Sequence, residues 1–239
     1  MAELLRILNI GNTHVQAFDS PGPEVLIPAG CFDTADFDPR REAVLHPALA
    51  VASVVPDLTR QLRELGAFVV SGREKLPFAP SALDLSTVGA DRIANAAALL
   101  SGPLPAISID FGTAIDIEYV TADRQFAGGA ILPGRLLLRR ALHDHTAQLP
   151  LIPLSDTLPG LPGLNTVDAL RIGTDRAALG AVRDLIRDWR RLCEPGSLRV
   201  LACGGDRHFF LKNLDGMTDG GDDFTIRGIR QLWDFHHAR

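Results

Sequence analysis

The chain reads as an α/β protein built in two halves, and three observations predict it. Short, wholly apolar β-type runs alternate with segments whose apolar residues recur at helical spacing. A strand–turn–strand unit occurs twice, first around Leu8-Asn9-Ile10-Gly11-Asn12-Thr13 and again around Ile109-Asp110-Phe111-Gly112-Thr113-Ala114. Between the copies lies a breaker-rich stretch with Gly102, Pro103 and Pro105. This divides the chain into an N-terminal domain, 1–103, and a C-terminal domain, 104–239; 239 residues suffice for two small cores.

Residues 4–18 are expected to form a β-hairpin about Gly11-Asn12. Residues 19–47 are rich in Pro and Asp with weak periodicity, and no element is predicted there. Leu49 to Val55 is an apolar run ended by Pro56, as in a strand buried on both faces. Leu58, Leu62 and Leu65 give Asp57–Leu65 a helical stripe that Gly66 ends, and Phe68-Val69-Val70 resumes as a strand. A loop with Pro77 and Pro80 covers 71–87. Gly89-Ala90-Asp91-Arg92 then opens an Ala-rich helix from Ile93 to Leu100. The second hairpin spans 106–120, and a helix runs from Arg135 to about His145. Residues 150–164 hold four prolines and read as a loop. Thr166 to Trp189 is helical, with breaks expected near Gly173 and Gly180. Leu198 to Cys203 is a strand entering Gly204-Gly205-Asp206, and Thr225 to His237 an amphipathic helix.

Composition bounds the function. Hydrophobic residues make up 46% and charged residues 22%, the balance of a soluble globular protein. A net charge of −5 argues against non-specific nucleic-acid binding. Cys31, Cys193 and Cys203 lack metal-ligand spacing, and an odd count suits a reducing cytoplasm. No secretory signal or membrane-length apolar run is read, so a cytoplasmic protein with no membrane partner is expected.

The chemistry centres on three places. A polar turn with Gly exposes backbone N–H groups to an anion, and two such turns facing one another would hold a nucleotide's phosphates. Asp91 sits in the first turn of a helix, where a carboxylate is favoured. Taken alone this reads as an ordinary helix start with a salt-bridging Arg92; the sharper reading makes Asp91 a general base and Arg92 an anion clamp. Asp110 offers a hard oxygen ligand for Mg²⁺ or a monovalent cation. The seven histidines show no zinc-protease spacing, and His143 and His145 read as surface residues.

Taken in order, Ile10-Gly11-Asn12-Thr13, Ala52-Ser53-Val54-Val55-Pro56, Val88-Gly89-Ala90-Asp91-Arg92-Ile93-Ala94-Asn95-Ala96, Ile109-Asp110-Phe111-Gly112-Thr113-Ala114, Gly128 to Gly134, Thr146 to Pro150, Asn165-Thr166-Val167 and Ala202-Cys203-Gly204-Gly205 resemble the type III pantothenate kinases of the sugar kinase, heat-shock protein and actin superfamily. The resemblance implies two ribonuclease H-like domains with an interdomain nucleotide cleft, the actin-like ATPase fold. It implies ATP-dependent phosphorylation of pantothenate, the first step of coenzyme A synthesis. Asn9, Ile10, Gly11, Asn12, Thr13, His14, Val15 and Gln16 would cradle the ATP phosphates, and Thr113 would contact ATP. Asp91 would take the proton from the pantothenate hydroxyl, with Gly89, Ala90, Arg92 and Thr166 holding that substrate. Asp110 would bind potassium or ammonium, Mg²⁺ would accompany ATP, and the protein would be a homodimer, with the Ala-rich helix at its interface.

Five positions, in three places, depart from the family pattern. Asn9 stands where the family has Asp, keeping the shape and losing the charge. Ala82 replaces a family Tyr on the acceptor side, and Leu85 a nearby Pro. Ile115 and Asp116 follow Ala114 in place of two Thr, and Asp116 offers a substitute carboxylate. Two further readings follow: a kinase-like protein that acts by binding, as an accessory or regulatory factor, and a kinase for another small alcohol.

Overall fold

A computed structural model describes residues 4–79 and 81–238; Pro80 of the expected loop lies outside them. The chain forms two compact units. The first runs to Pro103 and adds Asp123–Ala127 and the segment from Asp223; the second comprises Leu104–Ala122 and Gly128–Asp222.

In the first unit β1 (Leu5–Ile10) and β2 (His14–Gly22) form the expected hairpin. β3 (Val25–Asp33) extends it, and α1 (Pro39–Leu45) follows. β4 (Leu49–Ser53) lies parallel to β1 with every residue buried. α2 (Pro56–Glu64) starts on Pro56, buries Leu62 and leads to β5 (Phe68–Val69). The sheet order is β3-β2-β1-β4-β5. Leu8, Ile10, Val15, Leu49, Val51 and Leu62 close its core. α3 (Ala90–Leu99) completes this part of the chain.

The second unit repeats the plan. β6 (Ala106–Phe111) pairs antiparallel with β7 (Ala114–Val120), and β8 (Phe126–Pro133) follows. α4 (Arg135–Asp144) and α5 (Thr166–Arg191) precede β9 (Arg199–Cys203), which lies parallel to β6. α6 (Arg207–Asn213) leads to β10 (Thr218–Asp219), parallel to β9. The order β10-β9-β6-β7-β8 is the first sheet's order read from the other edge. The two hairpins noticed in the sequence are therefore the leading strands of two like-ordered sheets.

Several expectations are corrected. β3 and α1 occupy the stretch where no element was predicted. Most of β3 is exposed at the sheet edge, so it carries no apolar alternation to read. α5 runs unbroken for 26 residues through Gly173 and Gly180. Two helical glycines cost about 1 kcal/mol each, too little to break a helix that buries Leu170, Leu179, Val182 and Ile186. α7 (Phe224–His237), expected with the C-terminal domain, packs in the first unit. Its Gly228 lies against the Ala94 carbonyl, where any Cβ would overlap, and Thr225 Oγ1 donates to Asn95 Oδ1 at 2.7 Å. Ile93 through Leu99 of α3 are all buried within the chain. Among the described residues no helix is long and apolar enough to cross a membrane.

Candidate active site

In the first unit the polar turn and the start of α3 meet at the carboxyl ends of two parallel strands. Asn9 pairs with Gln16 and Ile10 with Val15, and the Gly11 N–H donates to the His14 carbonyl at 2.9 Å. Ile10 and Val15 are buried, so they offer a ligand only backbone, whereas Asn12, Thr13 and His14 are exposed. Thr34 braces the turn from outside: its hydroxyl donates to the Gly11 carbonyl at 2.8 Å and its N–H to the Thr13 carbonyl at 2.9 Å. Sequence reasoning missed Thr34, which lies in the unpatterned 19–47 stretch. Next door, the Val54 N–H donates to the Ile10 carbonyl at 3.0 Å. A Cβ built on Gly89 would stand 3.8 Å from Val54 Cγ1, so Val54 links the turn to the motif.

The approach to α3 is a tight 3₁₀ turn over Leu85–Thr87, capped by Asp84. Two hydrogen bonds from Ser86 hold the Asp84 carboxyl below its usual range. Gly72 lets this turn sit against it, since a side chain there would overlap the Leu85 carbonyl. Gly89 is the N-cap and supplies no capping side chain. Asp91 is half-buried and accepts the Arg92 N–H at 2.8 Å. Burial pushes its carboxyl above the usual carboxylate range, against the opposing pull of the Arg92 N–H and guanidinium. Ala90 is buried and Ala82 exposed.

The second unit carries a turn one residue shorter between its own leading strands. Asp110 pairs with Asp116 and Phe111 with Ile115, and the Gly112 N–H donates to the Ala114 carbonyl at 2.9 Å. Directly opposed residues share a sheet face, so Asp116 does stand beside Asp110. Gly112 and Thr113 are exposed. Two glycines press on this turn. The Gly134 N–H donates to the Thr113 carbonyl at 3.0 Å, and a Cβ on Gly134 would lie 2.6 Å from that oxygen. Gly204 has φ +84°, and a Cβ there would lie 2.6 Å from the Phe111 nitrogen and overlap Asp110 Oδ1. The Asp206 N–H donates to the Phe111 carbonyl at 3.0 Å. Thr166 begins α5, exposed, behind the N-cap Asn165 whose Oδ1 accepts the Asp168 N–H at 2.9 Å.

The structure thus joins the Asn9–Gln16 segment with Gly89–Arg92 in one unit, and Asp110 with Thr113 in the other; Thr166 belongs to the second unit. It also reveals a buried ion cluster of Arg135, Arg139, Asp175 and Asp206 under the second turn. Sequence reasoning missed it because helical arginines usually mark a solvated face. Among the described residues, no three His, Cys, Asp or Glu side chains group as a metal site.

Comparison with known proteins yields a consistent set. The sequence profile of the type III pantothenate kinase family matches residues 31–188. A type III pantothenate kinase from Rubrobacter xylanophilus is 35% identical over 204 residues, covering 80% of this chain and 77% of its own. Among solved structures, a conserved Baf family protein from Campylobacter jejuni, named for transcriptional activation, aligns with TM-score 0.63 at 18% identity over 97% of this chain and 98% of its own. A ROK family glucokinase from Streptomyces griseus, solved with glucose and AMPPNP, aligns with TM-score 0.57 at 12% identity over 96% and 98%. At these identities the structural matches speak for the fold alone, the two-domain actin-like ATPase fold.

Proposed function

The chain belongs to the type III pantothenate kinase family, and from that premise we propose that Asp91 is the general base of its phosphoryl transfer. The protein is an ATP-dependent kinase acting on pantothenate in coenzyme A biosynthesis. The observation that carries the role of Asp91 is its setting. A half-buried carboxylate with a raised pKa stands at the start of α3, on the same strand ends as the polar Asn9–Gln16 turn. Desolvation makes such a carboxylate a better proton acceptor.

In this reading the pantothenate hydroxyl gives its proton to Asp91 as its oxygen attacks the γ-phosphorus of ATP, and ADP leaves. Arg92, with the backbone of Gly89 and Ala90, holds pantothenate, and Thr166 contributes a hydroxyl. Backbone N–H groups and hydroxyls of the Asn9–Gln16 segment and Thr113 hold the ATP phosphates. Asp110 offers a carboxylate with carbonyl oxygens nearby, a donor set suited to one monovalent cation. The chain lacks a ready-made carboxylate cage among its described residues, so Mg²⁺ fits best as an ion carried by the nucleotide phosphates. We extend the proposal to a homodimer, and to a cytoplasmic setting, which suits three unbridged cysteines.

The test is turnover of pantothenate and ATP with potassium and Mg²⁺ present, alongside Asp91→Ala. Turnover by the protein and its loss in a folded Asp91→Ala variant support the reading; equal turnover in both sinks it. Asn9 favours the second reading, a protein that binds without turnover. Calorimetric binding of ATP and pantothenate with no product formed would select that reading. The exposed Ala82 keeps another small alcohol open as acceptor, and a screen of hydroxy acids tests it.

A further inference from the structure

We propose that Arg135 is a positioning residue of the nucleotide half-site in the second unit, locking the Gly204–Asp206 turn against the Asp110–Thr113 turn. The inference rests on the reading that ATP phosphates and their cation meet this half-site.

Arg135 stands where an arginine is costly. It is the first residue of α4, and a cation at a helix N-terminus opposes the helix dipole. It is also 1% exposed, so its charge has lost its hydration. The surroundings account for every face of the guanidinium. Nε donates to Asp206 Oδ2 at 2.7 Å and Nη2 to Asp206 Oδ1, a two-pronged fork. Nη1 donates to the Ser155 carbonyl at 3.0 Å and lies 3.2 Å from Asp175 Oδ1. The plane rests on the Phe209 ring, 3.4 Å from its centroid.

The fork reaches the site through short links. The N–H of Asp206, whose carboxylate the fork holds, donates to the Phe111 carbonyl, and Gly204 lies against Asp110 and the Phe111 nitrogen. On the other side Gly134, the residue before Arg135, donates its N–H to the Thr113 carbonyl. One residue therefore ties both walls: its backbone follows the Thr113 contact and its side chain grips the glycine turn. Gly205, between Gly204 and Asp206, is exposed.

Arg139 is the internal control. It is as deeply buried and shares Asp175, yet it bonds Thr174 Oγ1 at 3.2 Å and the Pro153 carbonyl, and its hydrogen bonds and ion pairs among the described residues do not include the 204–206 turn. A purely structural cluster would respond alike to loss of either arginine. A positioning role separates them.

The experiment measures KM for ATP and for pantothenate, and the melting temperature, for the full chain and for Arg135→Lys, Arg135→Met, Asp206→Asn and Arg139→Met. Lys keeps the charge and cannot make the fork. The proposal expects both Arg135 variants and Asp206→Asn to raise KM for ATP roughly tenfold or more, with KM for pantothenate within about twofold. It expects Arg139→Met to lower the melting temperature with both KM values held. An unchanged KM for ATP in the folded Arg135 variants overturns the proposal, as does an equal rise in Arg139→Met. Should the Arg135 variants fail to fold, Asp206→Asn decides by the same readout. Asp110→Asn separates this from the underlying reading: if it leaves KM for ATP unchanged, the placement of ATP is wrong and the proposal falls with it.

Discussion

A Cβ on Gly89 would stand 2.7 Å from Oδ1 of Asp91, so the carboxylate occupies the space any side chain at position 89 would need. The backbone of Gly89 is ordinary, with φ −57° and ψ 145°, and an alanine there strains no dihedral. The requirement is room for the carboxylate. Gly89→Ala should displace Asp91 and lower kcat about 10²-fold, the cost of roughly an ångström of misplacement, with the melting temperature little changed. Steady-state kinetics beside a melting curve checks this; a variant with full kcat would show that the Asp91 position is not critical.

Asp91→Asn should trade stability against activity. The folded protein holds the Asp91 proton more tightly than the unfolded chain does, because burial disfavours the carboxylate. The favourable contribution is therefore complete below the ordinary pKa of 3.8 and is lost as pH rises through the raised folded value. At neutral pH the wild type carries a poorly solvated charge that Asn lacks. The variant should melt higher than wild type at pH 7, and the difference should vanish as pH falls toward 3.8. Activity should drop about 10²–10⁴-fold. A variant that melts lower at pH 7 would mean that the hydrogen bond from the Arg92 N–H outweighs desolvation.

The helical glycines give a paired prediction on stability. At Gly173 and Gly180 of α5 an added Cβ meets nothing within 4 Å, so alanine at either should stabilise by about 0.5–1 kcal/mol. At Gly228 of α7 the same methyl meets the Ala94 carbonyl, and alanine should cost about 1–3 kcal/mol or more as α7 is pushed off α3. Denaturant titration of the three variants measures all of it, and a stabilised Gly228→Ala would show that the helix pair has slack.

These glycines also show what the sequence could and could not convey. Gly173 and Gly180 read as helix breakers because their local cost is visible in the sequence, whereas the apolar stripe that overrides it acts at a distance. Gly228 and Gly129 carry the opposite lesson. Each permits a backbone approach, to Ala94 and to Ile117 respectively, that no periodicity announces. β8, which holds Gly129, has no such signal, and α7 packs in the first unit although it follows the second in the chain. The hairpins, β4, α2 and the Asp91 helix were legible because each buries its own apolar pattern against the chain beside it. The Asp206–Arg135 fork joins residues 71 positions apart, and only the folded chain brings them together.

The last prediction concerns the two hairpins. Asn9 stands opposite Gln16 in the first and Asp110 opposite Asp116 in the second, and the first turn is one residue longer than the second. Gly11 and Gly112 meet the carbonyl across their turns at the same 3.4 Å from an added Cβ. The charges differ as well: two amides oppose one another in the first, two carboxylates in the second. If cation affinity follows carboxylate count near the phosphates, Asn9→Asp should lower the Mg²⁺ concentration for half-maximal turnover about tenfold, equivalent to ~1.4 kcal/mol. Asp116→Asn should raise it if the second hairpin supplies the missing charge. Titrating Mg²⁺ against turnover in both variants distinguishes the cases. A response to Asn9→Asp alone makes residue 9 a weakened metal-facing position; a response to Asp116→Asn alone makes the second hairpin the seat of the charge that the first one lacks. No response in either variant would leave the ion held by the nucleotide phosphates, independent of both turns.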